Sequence, residues 1–263
     1  ACSMSNSIDS QAIEILKENG IRLDVWNGER YPNKEELKQL LNIYDILIVG
    51  VEERITADMI SDIRTPKIIA SMSIGLDHID KECFKSKFVD VVNCPSANVT
   101  SVAEHILTLI LDASKRIQEA NDLVINGKPN RRLLTSKPTD INGKTIGLIG
   151  AGKISQKMVD IANLFNMPIL CYTEHPESHE KLTSKGVNFV DLDVLLQNSD
   201  IVNISVPLTT KTNNLRSRDK IELLKKNAIF INTSRTDVTD VQALVEFADK
   251  NPKFYLGLDI DVD

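Results

Sequence analysis

The sequence predicts an α/β protein built as two doubly wound parallel-sheet domains. Three observations carry that expectation. Short, almost wholly apolar runs alternate with helix-period runs through most of the 263 residues, which is the pattern of repeated β-α-β units. The alternation breaks once, at a long apolar helical stretch from Ser101, and then restarts. The restart carries a glycine turn, "LIGAGKISQK" at residues 148–157, set between a strand-like and a helical run.

In chain order, "ACSMSNSID" reads as the tail of a first strand and "SQAIEILKENG" as a helix closed by Gly20. Strand "IRLDVW", helix "NKEELKQLLNIY" and strand "DILIVG" follow, then a helix near "TADMISDI" and strands "KIIASMS" and "VDVVNC". The strand runs are nearly all apolar, so each is expected to be buried on both faces.

From Ser101, "SVAEHILTLILDASKRIQEANDLVING" reads as one helix of about 26 residues. Val102, Ile106, Leu107, Leu109, Ile110 and Leu111 make its first half apolar on most sides. A helix apolar all round is expected to be buried between domains or subunits. The connector "GKPNRRLLTSKPTDING" then leads into strand "KTIGLIG". After the glycine turn come a helix from Lys153 to near Phe165, strand "PILCYT", a helix near "SHEKLTSKG", strand "VNFV", helix "LDVLLQNS" and strand "IVNISVP". Helix "KIELLKK", strand "AIFINTS", helix "VQALVEFADK" and strand "FYLGLDI" complete the chain. The domain boundary is expected near residue 95.

Hydrophobic residues are 42% and charged residues 26%, the profile of a globular protein. Net charge is −6 and the Lys and Arg are scattered, which argues against nucleic acid or an anionic membrane as partner. No apolar run approaches the roughly 20 residues of a membrane span, and no signal-peptide layout opens the chain. Cys2, Cys83, Cys94 and Cys171 lie far apart without C-x-x-C or neighbouring His, so reduced thiols, a cytoplasmic location and no metal site are expected.

In a dinucleotide turn the first glycine allows the bend, the second lets the backbone approach the pyrophosphate, and the third allows close helix packing. The phosphates then face N–H groups at the helix N-terminus. Gly150 and Gly152 hold the first two positions, and Ser155 keeps the third small. The plain alternative is a helix start that merely needs a tight turn. About 20 residues on, where an acid usually meets the adenosine ribose, stand Thr173 and then Glu174. Thr173 hydrogen-bonds a hydroxyl without charge. Glu174, Glu177 and Glu180, with no Arg in the loop, repel a 2′-phosphate, which favours NAD over NADP.

Five stretches agree in order and spacing: "SMSIGLDHID" (71–80), "VVNCPSANVTSVAEH" (91–105), "GKTIGLIGAGKI" (143–154), "SDIVNISVPLTTKT" (199–212) and "AIFINTSRTDVTDVQALVE" (228–246). Together they resemble the D-isomer-specific 2-hydroxyacid dehydrogenases, the family of phosphoglycerate, glycerate and D-lactate dehydrogenases. The resemblance implies a flavodoxin-like substrate domain over residues 1–94 and a Rossmann NAD-binding domain over 95–263, with the active site in the cleft between them. It implies a homodimer through the helix starting near Ser101, NAD as cofactor, and a small 2-keto or 2-hydroxy acid as substrate.

By the same resemblance Arg235 is the catalytic and substrate-binding arginine, also close to the cofactor. A guanidinium offers paired donors to a carboxylate and polarises the adjacent ketone. An isolated arginine would by default be a surface ion-pair residue; this one follows an apolar strand and a small-residue turn. Ser73, Ile74 and Gly75 match the loop whose backbone N–H groups hold the carboxylate, and Ile74 also touches the cofactor. Asn98 matches a substrate position and Val102 one near the nicotinamide. Lys153 and Ile154 flank the pyrophosphate, Val206 and Pro207 face the adenosine, Thr233 and Ser234 lie by the nicotinamide ribose, and Asp259 binds the carboxamide.

The implied reaction is hydride transfer at substrate C2, with a histidine, oriented by a glutamate, moving the proton on the C2 oxygen. The family writes that glutamate in Asp-Val-Phe-x-x-Glu-Pro and the histidine in a later Pro-His-x-Ala. With Asp259 as the first Asp, the glutamate falls immediately after Asp263. Asp261 and Asp263 are out of register. Among the histidines, His105 reads as a buried structural helix residue, His175 and His179 as solvated on an acidic loop, and His78 as the one stand-in near the substrate loop. Two readings stay open. The favoured one is a dehydrogenase whose full protein carries a further C-terminal segment. The alternative is a catalytically silent NAD(H)-binding regulatory or corepressor-like module.

Overall fold

The structure is a computed structural model that describes residues 2–3, 8–27, 30–207, 212 and 218–259. Two compact units divide it, Ala1–Ala97 and Asn98–Asp263.

The first unit runs β1 (Cys2–Ser3), α1 (Ser10–Glu18), β2 (Asp24–Val25), α2 (Lys34–Ile43), β3 (Ile46–Val49), α3 (Ala57–Ile60), β4 (Lys67–Ser71) and β5 (Val89–Asn93). Its strands are all parallel in the order β2-β1-β3-β4-β5, the flavodoxin-like order. Asn33 and Glu36 form a reciprocal capping box that starts α2 where the chain leaves its turn. Leu37 and Leu41 of α2 and Met59 of α3 then pack on Leu47, Val49, Ile69 and Val89. Lys67 is buried among them because its Nζ donates to Tyr44 O at 2.9 Å, just past the C-terminus of α2.

The expectation that every strand is buried on both faces fails here. Ile68 and Val92 are 37% and 48% exposed, and α1 contributes no buried residue. Helices α2 and α3 cover one face of this sheet, so β4 and β5 alternate between buried and open positions.

The second unit runs α4 (Val99–Lys115), α5 (Ile117–Ile125), β6 (Ile146–Ile149), α6 (Lys153–Leu164), β7 (Ile169–Tyr172), α7 (Glu180–Thr183), β8 (Val187–Phe189), α8 (Leu192–Asn198), β9 (Ile201–Ile204), α9 (Arg218–Ile221), β10 (Ile229–Asn232), α10 (Val241–Lys250) and β11 (Tyr255–Leu258). The parallel order β11-β10-β9-β6-β7-β8 is that of a Rossmann sheet, its direction reversing between β6 and β9. Both faces are covered. Ala103, Ile106 and Ile110 of α4 join Met158 and Val159 of α6 on one side, and Leu195 of α8 joins Leu244 and Phe247 of α10 on the other. Accordingly β6 and β9 are buried at every residue.

The single long helix is not observed. It breaks at Arg116, which adopts the left-handed conformation with φ 56° and ψ 43°. Asp112 supports the break from both sides: its Oδ1 accepts the Gln118 N–H at 2.9 Å, and its Oδ2 accepts the Tyr255 hydroxyl at 2.8 Å. Nor is α4 buried all round. It buries one stripe, while Leu107, Leu109 and Leu111 are half-buried and α5 leaves Ile117, Val124 and Ile125 exposed. Among the described residues no helix is long and apolar enough to cross a membrane.

Candidate functional site

The second sheet sets its strand ends level. Tyr172, Ile149, Ile204, Asn232 and Leu258 stand in one row of register partners at the C-terminal edge. The residues that follow them, Thr173, Gly150, Ser205, Thr233 and Asp259, therefore line one edge, which includes the crevice between β6 and β9 where doubly wound sheets bind ligands.

Gly150 begins that edge with φ +100°. An added Cβ there would lie 2.7 Å from Ser205 O and 2.7 Å from Val206 Cγ1, so both conformation and space demand glycine. Its N–H donates to Tyr172 O at 2.8 Å, tying the turn to the end of β7 and bringing Thr173 and Glu174 alongside. Gly152 is the N-cap of α6 and brings no side chain to cap it. Its own added Cβ would meet nothing within 4 Å, so a side chain there would enter open space. Lys153 and Ile154 open the helix itself. Ser155 faces the other way: it is buried, and its Oγ has no hydrogen-bond partner. The third position thus serves packing.

Val206 and Pro207 follow β9, with Ser205 held by a hydrogen bond from its hydroxyl to Asn203 Oδ1 at 2.9 Å. After β10, Asn232 organises the next loop, a role its place at a strand end did not disclose. Its Oδ1 accepts the Ser234 N–H at 2.9 Å and hydroxyl at 2.7 Å, and its Nδ2 donates to Arg235 O at 3.2 Å. Thr233, Ser234 and Arg235 are held half-buried by this staple, and an Arg235 guanidinium nitrogen donates to Ser234 O at 3.1 Å. Asp259, after β11, donates its N–H to Asn232 O at 3.1 Å. Val102 is half-buried on α4, which Asn98 caps by position but without a side-chain hydrogen bond.

His105 corrects its expected role as a buried residue. Its side chain is 44% exposed, with Nε2 3.5 Å from Asp259 Oδ1. His175 is exposed as expected and pairs with Glu177 at 3.3 Å. Asp261 and Asp263 lie outside the described residues, as do residues 208–211 of the "SVPLTTKT" stretch.

In the first unit the loop after β4 is braced from below. Ser71 Oγ lies 2.8 Å from Ser73 Oγ and 3.2 Å from His78 Nε2, Ser73 donates its hydroxyl to Gly75 O at 2.5 Å, and Asn93 Nδ2 donates to Ile74 O at 2.7 Å. Among the described residues the Ile74 and Gly75 N–H groups make no hydrogen bond. The Ile74 and Gly75 carbonyls are both engaged as acceptors. His78 is buried and takes part in this brace, which disfavours it as a proton carrier. Its i, i+7 spacing from Ser71 resembled no motif, so only contact discloses the pairing. No group of three His, Cys, Asp or Glu among the described residues is arranged to hold a metal ion.

Residues 107–261 match the family described as "D-isomer specific 2-hydroxyacid dehydrogenase, NAD binding domain". The chain belongs to the D-isomer-specific 2-hydroxyacid dehydrogenase family. It is 35% identical over 257 residues to a hydroxypyruvate reductase of Thermotoga maritima, covering 98% of this chain and 81% of that one. It is 32% identical over 264 residues to a glyoxylate reductase of Thermococcus kodakarensis, covering 98% and 78%. A D-lactate dehydrogenase of Aquifex aeolicus, solved with NAD and lactic acid, superposes with a TM-score of 0.82 at 29% identity, covering 100% and 78%. As a 2-hydroxyacid dehydrogenase this chain is an NAD-dependent oxidoreductase that interconverts a D-2-hydroxy acid and its 2-keto acid, and the silent regulatory alternative gives way. The turn fits the cofactor: Gly150 lets the turn pass close against Ser205 and Val206, and Gly152 leaves open space at the N-terminus of α6, where the helix field favours phosphate.

Proposed function

We propose that the C-terminal edge of the second sheet holds NAD and that Arg235 binds and activates a small 2-keto acid of the glyoxylate and hydroxypyruvate class. The open space at Gly152, set beside a Gly150 that admits no side chain, carries this reading. In it, residues 1–94 form the substrate domain and 95–263 the NAD-binding domain.

Bound at this edge, NAD supplies the hydride acceptor, and NADH the donor. Gly150 would shape the turn, and Gly152, Lys153 and Ile154 would hold the pyrophosphate by backbone donors and the field of the α6 N-terminus. Thr173 and Glu174 take the adenosine ribose hydroxyls, Val206 and Pro207 flank the adenosine, and Thr233 and Ser234 take the second ribose. Val102 lies by the nicotinamide and Asp259 accepts from the carboxamide N–H. Ile74 and Gly75 donate backbone N–H groups to the substrate carboxylate, helped by Ser73 and Asn98. Arg235 draws electron density from the C2 carbonyl, so C2 becomes the electrophile.

The exposed apolar Ile117, Val124 and Ile125 support a homodimer through the helices that begin near Ser101. A cytoplasmic location is supported by three free thiols, Cys83, Cys94 and Cys171. Burial pushes Cys83 up to about 11 and Cys171 up to about 12, which keeps both as unreactive thiols.

The test mixes full-length protein and NADH with glyoxylate, hydroxypyruvate and phosphohydroxypyruvate, and follows NADH absorbance. Oxidation with at least one keto acid is expected, and loss of about 100-fold or more in kcat/KM for Arg235→Gln, with Arg235→Lys recovering little. Failure to oxidise NADH with any keto acid would overturn the proposal.

A further inference from the structure

Lysines and arginines that are scattered along the sequence converge at one place in the fold. A cavity of about 1110 Å³ opens in the second unit, with Ile201, Ile229 and Tyr255, the first residues of β9, β10 and β11, in its lining. In a parallel sheet this is the edge opposite the glycine turn, which follows the last residue of β6. The connector between α5 and β6 supplies another wall.

Arg116, Arg131, Arg132, Lys137, Lys144 and Lys253 line the cavity, against two acids, Asp140 and Asp200. Both acids are already engaged from outside the lining. Asp140 accepts from Lys115 at 2.5 Å, and Asp200 accepts from Lys225 at 3.0 Å and from the Thr145 N–H at 3.0 Å. Among the described residues none of the six cationic side chains makes a hydrogen bond or ion pair. The chain as a whole is net −6, so this concentration of positive charge is local to the cavity.

An excess of like charges around a concave wall is self-repelling and favours a counter-anion. At about 1110 Å³ the cavity lies just above the roughly 300–1,000 Å³ range of small-molecule pockets, large enough for a small ligand with its water. Arg131 and Arg132 bring planar paired donors suited to phosphate oxygens, and Ser136 and Thr139 are also in the lining. We infer that this cavity binds a small, multiply charged phosphate compound at the sheet edge remote from the cofactor turn. The inference stands independently of the cofactor assignment.

Inorganic pyrophosphate is the probe, titrated calorimetrically into full-length protein saturated with NADH and, separately, without it, at ionic strength matched with chloride. Saturable binding in both titrations is expected, weakened at least tenfold in Arg131→Ser/Arg132→Ser and severalfold in Lys253→Ser, which lies on a different segment. Arg54→Ser, in the first unit, is expected to bind as the parent does. Competition by NADH with no effect of these substitutions would assign the pyrophosphate to the cofactor turn and overturn the inference. So would unchanged pyrophosphate affinity with loss of a dimer in the double variant, or tighter binding of single-stranded nucleic acid than of pyrophosphate.

Discussion

His105 Nε2 lies 3.5 Å from Asp259 Oδ1, joining α4 to the end of β11. The Asp259 backbone is tied separately to Asn232 O at 3.1 Å, so the histidine acts on the carboxylate alone. If Asp259 receives the carboxamide, His105→Phe leaves that carboxylate free to turn away. NADH affinity is expected to fall by up to about fivefold, the equivalent of about 1 kcal/mol, the upper end for an exposed ion-pair contact. ADP-ribose, which lacks the nicotinamide, is expected to bind unchanged. Equal losses for both ligands in calorimetry would disprove a role at the nicotinamide.

The two turn glycines separate stability from binding. Gly150→Ala meets Ser205 O and Val206 Cγ1 and forces a side chain into φ +100°, so a loss of about 2 kcal/mol or more in urea unfolding is expected. Gly152→Ala has open space for its methyl, so its cost is limited to the weaker N-cap, about 1 kcal/mol or less. Its NADH affinity is nonetheless expected to drop by roughly tenfold, because the methyl takes the ground proposed for the pyrophosphate. Unaltered NADH affinity in this variant would mean that the cradle lies elsewhere.

Ser155→Ala removes a buried hydroxyl without a partner and improves helix propensity. The expected gain is about 0.5–1 kcal/mol in unfolding free energy with NADH affinity unchanged. A destabilised variant would show that the hydroxyl is satisfied in solution.

Asp200 couples stability to acid. Burial pushes its carboxyl up, but the hydrogen bonds from Lys225 and the Thr145 N–H and the nearby charges of Lys225 and Lys144 outweigh it and hold it below its ordinary 3.8. A value lowered in the folded state means that the contribution is complete above the unfolded value and is lost as pH falls through the folded one. Asp200→Asn is therefore expected to be less stable at neutral pH and to lose less on acidification. Urea midpoints recorded from neutral to acid pH check this, and parallel curves for the two proteins would refute it.

Much of this was legible in the residues. Alternating apolar runs announced the strands, and "GAG" between a strand and a helix announced the turn, because those signals are carried within a few consecutive residues. Arg235 was marked by the small-residue turn before it. Asn232 was not, because a polar residue ending a strand is commonplace until its amide is found stapling the Arg235 loop. The helix break at Arg116 was hidden for the same kind of reason: nothing in "DASKRIQEA" opposes a helix, and the partner that sustains the break, Tyr255, comes from β11.

The sequence alone therefore determined the α/β class, the glycine turn, and the family motifs, all properties of contiguous residues. The tertiary structure decided what distant residues do together. It left one face of the first sheet partly open, paired His105 with Asp259, and gathered Arg116, Arg131, Lys144 and Lys253 around one cavity. The reason is geometric: crossover helices return every strand in the same direction, so residues far apart in sequence arrive level at one edge of the sheet or the other.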